Sequence, residues 1–162
     1  MIKHKLQDIF DDLDDIDIII HQANCQNVMG SGIAKSLKDK FPQVYKVDTE
    51  AAIKGTNILG GISVAANTNG PMVINMYSQN KYYPRNIKHT DYYAFRICLL
   101  RVKIKALLYM GNNTKIAIPY KIGCDLAGGD WEIVKKIIED ELHNMNVTIY
   151  YLPKYKDDYE NL

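Results

Sequence analysis

Residues 16–35 read IDIIIHQANCQNVMGSGIAK, and this stretch carries an apolar run into a polar loop that contains two glycines. The run from Ile16 to Ile20 is rich in β-branched residues, which predicts a buried strand. The loop ends at Gly30-Ser31-Gly32, directly before a segment with helical pattern. A glycine-bearing loop that opens a helix presents free backbone N–H groups to an anion. The stretch therefore predicts a phosphate-handling loop.

Strand-like and helix-like segments alternate along the rest of the chain. Segments enriched in β-branched residues lie at 16–21, 61–66, 72–77, 115–119 and 147–152. Helical periodicity predicts helices over 31–39, from Pro42 onward, over 91–108 after a Thr90 cap, and over 131–144 with Asp130 as N-cap and Ile133 on its apolar stripe. This alternation predicts an α/β domain whose largely parallel sheet is covered on both faces.

A second glycine-bearing loop occupies residues 123–129, between a predicted strand and a predicted helix. Ligands of such sheets bind beyond the carboxyl ends of the strands, where both loops lie. Two loops of this kind can hold a diphosphate from both sides, although glycines also serve tight turns alone. The G-x-x-x-x-G-K-[ST] pattern is absent, and Gly30-Ser31-Gly32 lacks the third glycine of a dinucleotide-binding turn.

The composition bounds the class of protein. The chain has 162 residues and a formal net charge of +1, which fits one domain and argues against a broad nucleic-acid surface. Three scattered cysteines and no secretion signal favour a reducing, cytoplasmic compartment, and no apolar run is long enough to cross a membrane. The four histidines are scattered too, so we expect neither a metal site nor a cofactor. We place the domain at 1–152 and expect 153–162 to be a polar tail of low order.

Five features in order resemble the macro domain, a three-layer α/β/α module that recognises ADP-ribose and has a central mixed, largely parallel sheet. They are Asp8-Ile9 after a short first strand, residues 21–24 at a strand end, Met29-Gly30-Ser31-Gly32-Ile33-Ala34, Lys40-Phe41-Pro42, and Ile122-Gly123-Cys124 through Gly128-Gly129-Asp130-Trp131. The likeness extends to about Leu152. It is strongest to the branch that includes ADP-ribose 1''-phosphate phosphatases and phage proteins.

The resemblance implies a role for each loop. Asp8 would accept from the adenine amine with help from Ile9, and Asn24 would contact the distal ribose. The diphosphate would lie between two sets of residues: Gly30, Ser31, Gly32, Ile33 and Ala34 on one side, and Gly123, Cys124, Asp125, Leu126, Ala127 and Gly128 on the other.

The chain departs from the family pattern at several positions. Gln7 replaces the usual glycine before the adenine-binding acid, and Asp125 puts a carboxylate in a phosphate loop, where its charge should repel phosphate. Terminal ADP-ribose glycohydrolases, which are related, act through a lysine and an aspartate. Those positions fall near Gln79 and Ala127 here, so this covalent route looks absent unless Lys81 supplies the amine.

Three residues are candidates for catalysis. His21 ends the predicted strand at 16–21 and can position or protonate a leaving phosphate, or it can merely donate a hydrogen bond in the core. Asn24 lies beside it. Asp130 borders the second loop as a possible base, but an Asp in that place also serves as a helix N-cap.

Other chemically notable side chains have simpler explanations. Cys25 and Cys124 are expected to fill tight loops as small apolar residues. Several aromatic residues can stack on adenine or ribose or can simply pack; they are Tyr82, Tyr83, Tyr92, Tyr93 and Trp131. The polar loop 78–86 is expected to line the distal ribose.

The resemblance implies that the protein binds ADP-ribose and hydrolyses ADP-ribose 1''-phosphate to ADP-ribose and phosphate. One alternative is a non-catalytic module that binds ADP-ribose. Another is an ADP-ribosyl hydrolase that removes ADP-ribose from modified macromolecules. The expected partners are ADP-ribose, its 1''-phosphate and ADP-ribosylated macromolecules, without a membrane.

Overall fold

A computed structural model describes residues 2–162 and contains one mixed six-stranded sheet between two helical layers. The strands are β1 (Lys3–Leu6), β2 (Ile18–Asn24), β3 (Ile62–Ala65), β4 (Met72–Gln79), β5 (Lys115–Pro119) and β6 (Asn146–Tyr151). The helices are α1 (Gly32–Lys40), α2 (Pro42–Lys54), α3 (Tyr92–Met110), α4 (Trp131–Leu142) and α5 (Lys156–Glu160).

The strand order is β1-β6-β5-β2-β4-β3, and every neighbouring pair is parallel except β3 with β4. Both faces of the sheet are buried. Ile18 and Ile20 pack with α3 and α4, whereas Ile19 packs with Leu37 of α1 and Val44 of α2. The predicted α/β/α layering and the mixed, largely parallel sheet are therefore confirmed.

Two details of the predicted helices are wrong. Asp91, not Thr90, caps α3, because its Oδ1 accepts from the Ala94 N–H at 2.8 Å. Thr90 instead donates its hydroxyl to the Gly123 carbonyl at 2.5 Å. Ile133 lies on the outer side of α4 with 43% of its surface exposed, since the buried stripe of α4 runs through Val134, Ile137 and Ile138.

The expectation of a loosely ordered tail at 153–162 is also wrong. A 3-10 turn at Pro153–Tyr155 leads into α5. Tyr155 and Tyr159, four residues apart, both pack against the core, and the Tyr159 ring lies 5.5 Å from that of Tyr151. The expectation failed because it was based on the polar composition of the segment, whereas these two tyrosines lie on one helical face and pack against the core.

Candidate functional site

One cleft of about 620 Å³ opens at the carboxyl ends of β2 and β5. Both glycine-bearing loops line it, as the sequence predicted. Twelve of the predicted binding residues are on its wall: Asp8, Ile9, Asn24, Gly30, Ser31, Gly32, Ile33, Ala34, Gly123, Asp125, Leu126 and Ala127. A cleft of this size accommodates a small-molecule or cofactor-sized ligand.

The first loop is held in shape by the side chain of Asn24. Its Nδ2 donates to the Val28 carbonyl at 2.8 Å, and its Oδ1 accepts from the N–H groups of Gln26 and Val28 at 3.0 and 3.3 Å. Asn24 is therefore on the cleft wall, but its polar atoms are already engaged in bonds to the loop. Its immediate structural effect is to fix the backbone that leads to Gly30.

The end of this loop offers N–H groups at the start of α1. The Ser31 side chain makes no capping hydrogen bond, and Lys35 is the first residue whose N–H bonds back, to the Ser31 carbonyl at 3.3 Å. Gly32 has φ +58°, and a Cβ on Gly30 or Gly32 would meet nothing within 4 Å. The N–H groups of the first turn therefore have no partner within the helix and carry the positive end of the helix dipole, which suits an anion.

The second loop, residues 123–129, is held by backbone hydrogen bonds between its own residues and by contacts with side chains packed against it. The Gly129 N–H bonds to the Gly123 carbonyl at 2.9 Å, and the Gly128 N–H bonds to the Asp125 carbonyl at 3.1 Å. Gly123 has φ +73°, and a Cβ there would lie 2.7 Å from Oε1 of Gln22. Only glycine fits both this backbone conformation and this space.

Gln22 is the centre of a polar network under the second loop. Its Nε2 donates to Oγ1 of Thr90 at 2.9 Å and to Oε1 of Gln79 at 3.1 Å, and its Oε1 accepts from the Ser78 hydroxyl at 2.8 Å. Thr90 in turn holds the Gly123 carbonyl. The network links the ends of β2 and β4 to the loop after β5.

Asp8 occupies the other end of the cleft. It caps the 3-10 turn Ile9–Asp11, because its Oδ1 accepts from the Phe10 N–H at 3.0 Å. The neighbouring Ile9 is 4% exposed and lines the cleft with it. The second oxygen of the Asp8 carboxylate can accept a hydrogen bond from the exocyclic amine of a purine base, and the Ile9 side chain can pack against the face of its ring.

His21 is not on the cleft wall, so the expectation that it positions or protonates a leaving phosphate is wrong, and the alternative of a hydrogen bond in the core describes it. The side chain is fully buried, and its Nε2 lies 2.5 Å from Oδ1 of Asn75, which also donates to the Val44 carbonyl of α2. Burial lowers the pKa of the His21 imidazole. Because side chains alternate along a strand, His21 faces α2 whereas its neighbour Gln22 faces α3.

Three further predicted residues also lie off the wall of the cleft: Cys124, Gly128 and Asp130. The Cys124 thiol donates to the Ile122 carbonyl at 3.3 Å, and burial raises its pKa to about 12. Asp130 caps α4, with Oδ1 accepting from the Glu132 N–H at 2.9 Å. Besides Asp8, the carboxylate on the wall is Asp125. Its side chain is exposed, and its Oδ2 accepts from the Tyr155 hydroxyl at 3.4 Å.

Sequence reasoning missed most of the charged and aromatic residues that complete the wall. They are Lys121, Lys154, Tyr120 and Tyr155, whereas Arg85 belongs to the polar loop 78–86 that was expected to line the site. The only available signal was the pairing of a cation with a tyrosine at 120–121 and 154–155. Of the aromatic candidates, Tyr82 lines the cleft, and Tyr83, Tyr92, Tyr93 and Trp131 do not.

Of the positions compared with the lysine and aspartate of the terminal ADP-ribose glycohydrolases, some line the cleft and others do not. Gln79 and Ala127 line the cleft, and Lys81 does not. The Gln79 amide is engaged within the protein, because its Nε2 donates to the Lys81 carbonyl at 2.8 Å and its Oε1 accepts from Nε2 of Gln22 at 3.1 Å. Within residues 2–162, no three His, Cys, Asp or Glu side chains lie close enough to hold a metal ion, and no helix is long and apolar enough to cross a membrane.

No protein-family model matches the chain. The protein named DNA ADP-ribosyl glycohydrolase of Mycobacterium tuberculosis is 28% identical over 143 residues, which are 84% of this chain and 38% of the relative. The chain therefore spans well under half of that relative. An uncharacterized 17.5 kDa protein of Enterobacteria phage T4 is 27% identical over 142 residues, which are 81% of this chain and 83% of the relative.

Solved structures share the whole fold. A protein of unknown function from Bacteroides thetaiotaomicron superposes with a TM-score of 0.83 at 25% identity, covering 94% of this chain and 98% of that one. The macrodomain of Mycobacterium tuberculosis DarG has a TM-score of 0.76 at 22% identity, covering 93% and 97%. Thermosipho africanus DarTG, solved in complex with ADP-ribose, has a TM-score of 0.67 at 23% identity, covering 85% and 38%. The sheet order and these likenesses show that the chain has the macrodomain fold.

Proposed function

We propose that this protein binds ADP-ribose in the cleft and hydrolyses a bond to the distal ribose of an ADP-ribose conjugate. The observation that carries the proposal is the meeting of the two glycine-bearing loops on one cleft. The start of α1 offers N–H groups from one side, and the closed loop 123–129 approaches from the other. Two such backbone surfaces suit a diphosphate.

Asp8 and Ile9 support the adenine end of this assignment. One oxygen of the Asp8 carboxylate is used by the Phe10 N–H, which leaves the other oxygen for an exocyclic amine. Solved relatives support the ligand as well, because DarTG of Thermosipho africanus was solved with ADP-ribose bound.

The hydrolytic half of the proposal rests on Asn24 and Asp125. Asn24 shapes the loop at the carboxyl end of β2, and Asp125 is an exposed carboxylate on the opposite wall. We assign Asp125 as the candidate general base for a water molecule and Asn24 as a positioning residue. His21 and Asp130 do not take part, because neither side chain is on the wall.

Two conjugates fit the proposal. ADP-ribose 1''-phosphate is the smallest, but the buried His21 cannot serve it as an acid. Release of ADP-ribose from a modified nucleic acid is favoured by the likeness to a DNA ADP-ribosyl glycohydrolase. The cations Arg85, Lys121 and Lys154 on the wall also suit a polyanionic conjugate.

Calorimetric titration with ADP-ribose tests the binding half. Phosphate release from ADP-ribose 1''-phosphate and ADP-ribose release from an ADP-ribosylated oligonucleotide test the hydrolytic half. We expect the wild type to bind ADP-ribose and to turn over the oligonucleotide. Asp125→Asn should lower this turnover, whereas the matched control Asp14→Asn, at an exposed acid away from the cleft, should not. Absence of binding would refute the proposal, and binding without either turnover would leave a binding module only.

A further inference from the structure

The segment that joins β4 to α3, residues 80–89, is basic and exposed beside the cleft. We call it the β4–α3 loop. It reads NKYYPRNIKH, so it contains Lys81, Arg85 and Lys88 and no Asp or Glu. Every residue from 80 to 88 is exposed. Positive charge is therefore concentrated here in a chain whose formal net charge is only +1.

The three cations of the β4–α3 loop are not neutralised by acids of the protein. None of them forms an ion pair in the described part of the chain. The acids that border the loop and the cleft contact other groups: Asp91 and Asp130 cap α3 and α4, and Asp125 accepts from the Tyr155 hydroxyl. The charge of the loop is therefore available to an anionic ligand.

Aromatic rings lie among these cations. Tyr82 and Tyr83 are 46 and 70% exposed, and Nζ of Lys88 lies 4.4 Å from the centre of the Tyr92 ring. Exposed rings beside cations are typical of surfaces that bind single-stranded nucleic acid, because unpaired bases stack on the rings while the cations pair with phosphates. A duplex keeps its base faces stacked inside, and an acidic peptide would use the cations but not the rings. The combination favours a single strand over both.

The β4–α3 loop is held in place at the cleft. Gln79 and Thr90, at its two ends, pair with each other, and the His89 N–H donates to the Ala127 carbonyl of the second glycine-bearing loop at 2.8 Å. Within the loop, Nε2 of His89 lies 2.5 Å from the Pro84 carbonyl oxygen. Tyr82 and Arg85 line the cleft itself. The loop therefore continues the wall of the cleft outward.

The strand order determines which end of the cleft this loop borders. The strand that precedes Asp8, β1, is four strand spacings from β4, or about 19 Å at about 4.8 Å each. All strands from β1 to β4 in that order run parallel, so their carboxyl ends lie on one edge of the sheet. A ligand with its base at Asp8 therefore has its far end, where a conjugate continues, at the β4–α3 loop.

We propose that the β4–α3 loop binds the nucleic-acid part of the ADP-ribose conjugate as a single strand where it leaves the cleft. Tyr82 stacks on the base nearest to the bond that is hydrolysed, and Tyr83 stacks on a neighbouring base. The three cations pair with phosphates along the strand. This inference rests on the proposed function for the identity of the conjugate, but binding of the strand is measured without ADP-ribose.

The test measures fluorescence anisotropy of labelled oligonucleotides of about 15 nucleotides against the full chain. An oligothymidylate and an oligouridylate should both bind, and a DNA duplex and an oligoglutamate peptide of equal length should bind at least about fivefold more weakly. For three phosphate contacts, the logarithm of the affinity should fall with the logarithm of salt concentration with a slope of about −2. A difference between the two single strands would identify the preferred sugar and would uphold the proposal.

Two variants off the wall of the cleft locate the strand. Tyr83→Ala should weaken binding by about fivefold or more through lost stacking, and Lys88→Gln should reduce the salt slope by about 0.7. Tyr109→Ala and Lys105→Gln are the matched controls, because both residues are exposed and lie on α3 about 20 Å or more beyond its first residue. The controls should change neither quantity.

The outcomes separate this inference from the proposed function. Binding of neither single strand would overturn the inference, and calorimetry with ADP-ribose would still decide the proposed function. Equal binding of the duplex or of the oligoglutamate peptide would also overturn it, since the rings would then have no role. If ADP-ribose does not bind, the proposed function fails, and the effect of Tyr83→Ala on the oligonucleotides still decides whether the loop binds a strand.

Discussion

Nε2 of His21 lies 2.5 Å from Oδ1 of Asn75, so these buried side chains join β2 to β4 directly opposite each other in the sheet. The other ring nitrogen, Nδ1, has no partner in the described residues. The pair faces α2, on the opposite side of the sheet from Gln22 and the network that supports the cleft. His21 therefore contributes to the stability of the sheet rather than to the chemistry of the cleft.

The first prediction concerns the pH dependence of stability. Burial lowers the pKa of His21 below its ordinary value of 6.5, so the unfolded chain binds this proton more readily than the folded one. The free energy of unfolding should therefore fall as pH drops below about 6.5, by up to about 1.4 kcal/mol per pH unit from this group. Urea unfolding of the wild type and of His21→Gln between pH 7.5 and 5.0 measures it. An unchanged slope in the variant would exclude His21 as the cause.

The second prediction concerns Asn24. Asn24→Ala removes the bonds to Gln26 and Val28 that shape the first loop, so ADP-ribose affinity should fall about tenfold, with a loss of about 1–2 kcal/mol in stability. Calorimetry and urea unfolding measure the two effects. Asn69→Ala, at an exposed loop position, is the matched control. Wild-type affinity in Asn24→Ala would show that the loop keeps its shape without this side chain.

The third prediction separates the two loops. Gly123→Ala forces a Cβ to within 2.7 Å of Oε1 of Gln22 at φ +73°, so stability should fall by about 1–3 kcal/mol. Gly30→Ala meets nothing within 4 Å, so stability should stay within about 0.5 kcal/mol of the wild type. Its methyl group would nevertheless project toward the cleft, and ADP-ribose should bind more weakly. Thermal unfolding of both variants checks the contrast, and equal destabilisation would contradict it.

The fourth prediction concerns the carboxylate of Asp125. Asp125→Asn removes a negative charge beside the proposed diphosphate, so ADP-ribose should bind several-fold more tightly, and more so at low salt. Turnover should fall if the carboxylate activates water. Calorimetry at two ionic strengths and the hydrolysis assays separate these effects. Weaker binding would show instead that the carboxylate accepts a hydrogen bond from the ligand.

The fifth prediction concerns the C-terminal helix. Deleting residues 153–162 removes the packing of Tyr155 and Tyr159 and the 3.1 Å ion pair between Lys121 and Asp158. Both rings are half-buried, and a fully buried aromatic ring contributes about 1.5–3 kcal/mol, so the deletion should cost about 1–3 kcal/mol in urea unfolding. Removing only 161–162 should cost little, because both residues are exposed. Full stability after the larger deletion would mean that α5 adds nothing to the fold.

Local patterns in the sequence were enough to predict the alternation of strands and helices from β2 to β6, the coverage of both sheet faces and the two glycine-bearing loops. These features follow from local patterns, since β-branched runs predict strands and a glycine loop before a helix predicts exposed N–H groups. The positions of Pro42 and Asp130 at helix starts were predictable for the same reason.

The choice of side chains that face the cleft depends on the packing of the whole fold, and local patterns do not predict it. In β2 both faces are buried and apolar, so nothing local distinguishes the side that carries His21 from the side that carries Gln22. The cations Arg85, Lys121 and Lys154 come from segments far apart in the chain, and the fold alone brings them to one wall. The order of 153–162 was likewise decided by the fit of Tyr155 and Tyr159 against the core, because a polar segment folds only where a surface is present to receive its few apolar groups.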